Sequence, residues 1–285
     1  MKLFISIVFI AFALGVTADE ISKDFSVFQY HMRTGIPKAN RIKSFEFSNK
    51  IAGGSVNDVT ETPYQAGLIV HIASFFTSVC SATLISDTRL LTAAHCQFDG
   101  LFNALYFTVV LGSNTLFIGG LRIVTDSIMM HPGFNPRNAT NDIAVIRVPS
   151  DCFSVAIQPI NLPSNNEIAN DFVGWQARAS GFGLSVAGGI ISDSQPISSV
   201  TVAVISNAEC AKTFGSYVRT STICTSGVGG KGNCKGDSGG PLAILSYERW
   251  VVIGISSFGS AGGCGASFPS GFARVSSYVD WIRSQ

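Results

Sequence analysis

From Ile51 to the C-terminus the chain is written as short apolar runs broken by turn residues, and this pattern most constrains its fold. Gly67 to Ile72, Ser81 to Ile85, Phe107 to Leu111, Asp142 to Val148, Val200 to Ile205 and Val251 to Ile255 each have strand length and strand composition. The 29 glycines fall largely between such runs, where tight turns need them. Only the tail, Ser276 to Arg283, carries apolar residues (Tyr278, Val279, Trp281, Ile282) at helical spacing. Many short strands with glycine-rich turns predict an all-β protein of barrels or sandwiches closed by a short C-terminal helix.

With 46% hydrophobic and 13% charged side chains, the chain can bury a large core and lacks the signature of disorder. A net charge of +1 gives no reason to expect nucleic acid or an anionic surface as a partner. Residues 1–18 read as an export signal. Lys2 gives the positive start, Leu3 to Val16 the apolar stretch, and Val16-Thr17-Ala18 the cleavage site. The rival reading is a membrane anchor, but the apolar stretch falls short of the roughly 20 residues a spanning helix needs. A secreted protein with no membrane partner is expected. Residues 19–50 form a charged, irregular stretch ending at Lys50.

Seven cysteines (80, 96, 152, 210, 224, 234 and 264) suit an oxidising compartment. The odd number leaves at least one without an intrachain partner. Zinc-finger spacing is absent, and neither metal nor cofactor is expected.

Three segments carry chemistry. Thr92-Ala93-Ala94-His95-Cys96 follows an apolar run, Asp142 opens another, and Ser238 stands within Gly236-Asp237-Ser238-Gly239-Gly240-Pro241. Serine needs a base to become a nucleophile at neutral pH, and histidine titrates in the right range. A buried carboxylate holds the imidazole in the required tautomer. Backbone N–H groups in a glycine-flanked turn receive the oxyanion, and one such donor is typically worth roughly 3–4 kcal/mol. Taken alone, His95 could be a structural histidine and Asp142 a strand-edge turn residue.

Together, and in this order, the segments resemble the His, Asp and Ser motifs of the chymotrypsin/trypsin family over about residues 51–285. The resemblance implies two six-stranded antiparallel β-barrels with the active site between them. It makes His95 the general base, Asp142 its orienting partner, Ser238 the nucleophile, and the N–H groups of Gly236 and Ser238 the oxyanion hole. Ile51-Ala52-Gly53-Gly54 resembles the N-terminus that family members acquire on activation. The family more often has Val or Ile where this chain has Ala52. A cut after Lys50 by a trypsin-like protease would then let the Ile51 ammonium pair with Asp237. The same resemblance implies disulfides Cys80–Cys96, Cys210–Cys224 and Cys234–Cys264. Cys152 is left over, as a buried thiol or in an intermolecular bridge.

For the substrate pocket, the resemblance points to Gly232, Ser257, Phe258, Gly259 and Ser270. Neither 225–236 nor 251–274 contains an acid, so a lysine or arginine side chain would lack a counter-charge. An open apolar pocket for Phe, Tyr, Leu or Met is expected, with Ser257 to Gly259 pairing with the substrate backbone. An elastase-like or collagenolytic specificity is the first rival. A catalytically silent homologue acting as a binding module is the second. Pro63 to Leu68 and the three-bridge pattern resemble insect digestive chymotrypsins, which suggests the gut lumen, a monomer, polypeptide substrates and protein protease inhibitors as partners. Asn138-Ala139-Thr140 is a glycosylation sequon or a bare polar turn.

Overall fold

The computed structural model describes residues 25–48, 59–73, 75–150, 153–182, 197–230, 237–259 and 267–285. Strands dominate. The first half contains β1 (Gln65–Ala73), β2 (Phe76–Leu84), β3 (Arg89–Thr92), β4 (Tyr106–Leu111), β5 (Leu121–Thr125), β6 (Ile128–Met130) and β7 (Ala144–Arg147). The second contains β8 (Gln176–Gly181), β9 (Ser198–Ile205), β10 (Thr222–Thr225), β11 (Pro241–Ser246), β12 (Arg249–Gly259) and β13 (Ser270–Arg274). All six runs expected to be strands lie in or overlap these elements.

β8 to β13 close into a six-stranded barrel in the order β10-β13-β12-β11-β8-β9. The first half is a seven-stranded antiparallel sheet in the order β5-β4-β1-β2-β3-β7-β6. Its two end strands are consecutive in sequence and separated only by Asp126 and Ser127. They are one outer strand in two pieces, so the sheet curls back on itself as a half-barrel that counts six when the pieces are joined. The corner is held by the Arg147 N–H donating to the Ser127 carbonyl and by the Thr125 hydroxyl donating to the Arg147 carbonyl.

One apolar core runs through both halves. Leu68, Val70, Cys80, Ala82 and Val109 point inward from the first, and Val252, Ile255 and Ala273 meet them from the second. The expected C-terminal helix is present as Val279–Ser284. Its Ile282 enters the same core, and the side chains of Arg89 and Arg147 donate to the Ile282 and Gln285 carbonyls.

Within the stretch expected to be irregular, residues 25–48 are largely helical. A single π turn, His31–Gly35, runs directly into helix α1 (Ile36–Ser48). Pro37 stands just after the π turn, and having no N–H it cannot bond back to the preceding turn. The helix lies on β1, β2 and β4. Strand alternation turns Ile69, Val79 and Val110 away from the barrel interior, and Ala39 and Ile42 of α1 cover them with Leu116 and Phe182. Gly35 allows the closest approach, since a Cβ there would lie 1.8 Å from the Ser78 hydroxyl. A second helix, α2 (Asn207–Phe214), starts on Ser206, whose hydroxyl accepts from the Glu209 N–H as a cap.

Candidate active site

His95 sits in a 3₁₀ turn, Ala94–Cys96, immediately after β3. The Cys80–Cys96 disulfide ties that turn to β2. Asp142 lies just before β7 and is 1% exposed. Its carboxylate accepts the His95 backbone N–H at 2.9 Å on Oδ1 and faces His95 Nδ1 at 2.7 Å with Oδ2. The Ser257 hydroxyl donates to that same Oδ2 at 2.6 Å. Both oxygens of this buried carboxylate are thus engaged in hydrogen bonds. The carboxylate also fixes the imidazole in the tautomer that carries its proton on Nδ1 and leaves the lone pair on Nε2. Asn141, in left-handed conformation (φ 53°), shapes the approach to Asp142 and accepts from the Tyr278 phenol at 3.0 Å.

Ser238 occupies a turn between the halves. Its carbonyl accepts from Ser81 N–H of β2 at 2.7 Å, and the Gly239 N–H donates to the Ser256 carbonyl of β12 at 2.8 Å. Gly239 has φ 84°, and a Cβ there would meet the Ser81 carbonyl at 2.3 Å and the Thr92 hydroxyl at 2.2 Å. The glycine is therefore a steric requirement of the turn. Asp237 lies over Gly181, where a Cβ would come within 2.3 Å of its Oδ1.

The sequence-predicted residues His95, Asp142, Ser238, Asp237 and Ser257 are brought together here. Phe258 is buried, packed edge-on against Phe214 at 5.2 Å, and sits so close to Gly271 that a Cβ there would lie 2.4 Å from the ring. Gly259 pairs with Ser270 across β12 and β13 and has open space at its Cβ position, while Ser270 is buried. Ser257 turns its side chain to Asp142 and not to the pocket, a role the sequence reading did not give it. Lys50, Ile51, Gly232 and Gly236 lie outside the described residues, as do the export signal, Cys152, Cys234 and Cys264. The two disulfides expected among the described cysteines, Cys80–Cys96 and Cys210–Cys224, are both formed. Cys80, His95 and Cys96 bring sulfur and nitrogen atoms close together. The two sulfurs are bonded to each other, so they present no thiolate to a metal.

Tyr30 had no motif to announce it. Its ring lies 4.5 Å from the His95 ring, and its phenol donates to the Val79 carbonyl at 2.9 Å. Burial raises the phenol well above its ordinary pKa; a hydrogen bond with the Ser238 side chain opposes the rise, and Asp237 and Asp142 add to it. Among the described residues, the buried His95 Nε2 has no hydrogen-bond partner.

A model of the Trypsin family matches residues 51–282. A collagenase of Hypoderma lineatum is 38% identical over 222 residues, 78% of this chain and 81% of that protein. Brachyurin of Leptuca pugilator is 37% identical over 239 residues, 82% of this chain and 98% of that one. Trypsin, alkaline C of Manduca sexta is 34% identical over 242 residues, covering 82% and 90%. The solved structure of HL collagenase superposes with a TM-score of 0.71 at 36% identity, over 82% of this chain and 97% of that one. The chain belongs to the trypsin family and is a serine endopeptidase with the chymotrypsin-like fold.

Proposed function

We propose that the protein is a secreted digestive endopeptidase, made as a precursor cut after Lys50, that cleaves polypeptides after large apolar or aromatic residues. The observation that carries the catalytic part is the shared Asp142 carboxylate, which holds both the backbone N–H and Nδ1 of His95. With Nδ1–H committed there, Nε2 takes the Ser238 proton as Oγ attacks the substrate carbonyl carbon. The N–H groups of Gly236 and Ser238 receive the oxyanion. His95 then passes its proton to the leaving amine, and an acyl-enzyme on Ser238 remains. Water, deprotonated by the same nitrogen, releases it.

Specificity for large apolar side chains is supported by the Phe258 face, the open position at Gly259 and the lack of any acid in 251–274. A collagenolytic preference is the second reading, favoured by the 38% identity to a protein named collagenase. Activation by a trypsin-like protease is supported by Lys50 before Ile51-Ala52-Gly53-Gly54 and by the match beginning at residue 51.

Hydrolysis of reporter peptides ending in Phe, Leu, Ala or Arg, and of native collagen, before and after cleavage behind Lys50, tests this reading. Activity strongest on Phe and absent on Arg supports it. Preference for Ala, or for collagen over all four, moves the second reading forward. A cut chain stripped of residues 1–50 that hydrolyses none of them leaves a silent binding homologue.

A further inference from the structure

Residues 25–48 follow a path that the activation reading does not require. Phe25 meets Phe214 and Tyr217 edge-on at 4.7 and 5.9 Å, and Val27 joins Phe258 in one buried cluster. Phe28 lies under the Arg137 guanidinium and against Gly100. Tyr30 reaches His95 and Ser238. His31 is fully buried, its backbone N–H donating to Asp99 Oδ2 at 2.9 Å and its Nδ1 facing the Ser78 hydroxyl at 2.9 Å. Farther along, the Glu46 carboxylate accepts the backbone N–H groups of Leu116 and Phe117 at 2.6 and 2.7 Å. The segment is therefore pinned near both ends by polar contacts of defined geometry, with the apolar contacts of Ala39 and Ile42 between them.

We infer that the face formed by the cleft and by the outer side of β1, β2 and β4 is a peptide-binding surface whose occupant is residues 25–48. The segment stays docked after the chain is cut behind Lys50 and inhibits the enzyme as a separate peptide. This rests on the activation reading above and adds a second step to it, displacement of the segment.

Two features make the segment an inhibitor and not a substrate. Its backbone hangs on the first half of the molecule, with the Val27 and Gln29 N–H groups donating to the Pro136 and Asp99 carbonyls. The edge expected to align a substrate, Ser257 to Gly259, belongs to the second half. At the reacting atoms the segment presents a phenol and not a peptide carbonyl. Tyr30 lies with its ring 4.5 Å from that of His95 and beside Ser238, and among the described residues His95 Nε2 has no hydrogen-bond partner. Cutting after Lys50 breaks none of these contacts.

The test uses the full chain, cut once after Lys50 and checked by intact mass. Size-exclusion at neutral pH is the first measurement. Co-elution of the released segment with the Ile51-started domain is expected, and separate elution overturns the inference whatever the activity. The second is the rate at which a fluorophosphonate labels Ser238. Tyr30→Ala in the full chain, cut in the same way, should label at least about tenfold faster, the loss typical of a buried tyrosine anchor. Equal rates overturn the plug. A synthetic peptide of residues 25–48 added to stripped enzyme gives the same comparison without refolding a variant. The unaltered peptide should inhibit, and its Tyr30→Ala and Glu46→Gln forms should each need at least about tenfold more for the same effect. Stripped enzyme that neither labels nor hydrolyses speaks against the catalytic reading, while co-elution still decides the docking.

Discussion

The Ser257 hydroxyl and His95 Nδ1 converge on one oxygen, Oδ2 of Asp142, at 2.6 and 2.7 Å. A hydrogen bond to a buried charged group is worth roughly 1.5–3 kcal/mol. Its removal leaves His95 less firmly oriented. Ser257→Ala should therefore lower kcat by about tenfold or more while leaving KM within about twofold. Steady-state kinetics on a Phe reporter peptide separate this from a pocket role, in which KM would rise and kcat would hold.

Gly239 should not tolerate a side chain. Its φ of 84° and the carbonyl of Ser81 at 2.3 Å from a Cβ combine backbone strain with a clash against main chain. Gly239→Ala is expected to cost at least about 2 kcal/mol of stability and to abolish activity. Urea unfolding of the variant, followed by tryptophan fluorescence, reads the first effect. An unchanged midpoint would falsify the steric argument.

The two described disulfides close loops of similar length, with separations of 16 and 14 residues. The chain-entropy model assigns each about 3 kcal/mol. They should differ in function, because Cys96 belongs to the turn that carries His95 and Cys210–Cys224 ties α2 to β10. Cys80→Ala with Cys96→Ala should lose both stability and kcat. Cys210→Ala with Cys224→Ala should lose comparable stability with kcat largely kept at a temperature where both remain folded.

Docking of residues 25–48 should depend on pH through His31. Burial pushes its imidazole down to about 4; the Asp99 carboxylate pulls it up, and His95 adds to the fall. In the released peptide the group returns to about 6.5. Between those values the released form holds more protons, so this contribution is full above about pH 6.5 and fades as the pH drops toward 4. Burial raises the Glu46 carboxyl, against the pull of Leu116, Phe117, Ile118 and Arg122, and works in the opposite sense. Comparing the peptide with its His31→Gln form isolates the histidine. The affinity ratio of the two should shrink at least about tenfold from pH 7 to pH 4, and a constant ratio excludes His31 as the source.

The strands were legible because their apolar runs have strand length and stop at turn residues. His95, Asp142 and Ser238 were legible because each is embedded in a short motif. Helix α1 was not. Its buried side does recur at helical spacing (His31, Gly35, Lys38, Ala39, Ile42, Glu46), but only Ala39 and Ile42 are apolar. The polar members are satisfied by partners elsewhere in the chain, as Glu46 is by Leu116 and Phe117, and hydrophobic periodicity is blind to such pairing. Tyr30 was hidden for the same reason: its meaning lies entirely in what it touches.

The turn at Ser238 is anchored to β2 through Ser81 and to β12 through Ser256. It acts as a rivet between the two halves, and the Ser238 side chain is its head. Any slip of one half against the other would move Ser238 relative to both anchors before either core was exposed. Loss of catalysis should thus be the earliest sign of mechanical failure in this molecule, and the same rivet makes each half a guarantor of the other's register.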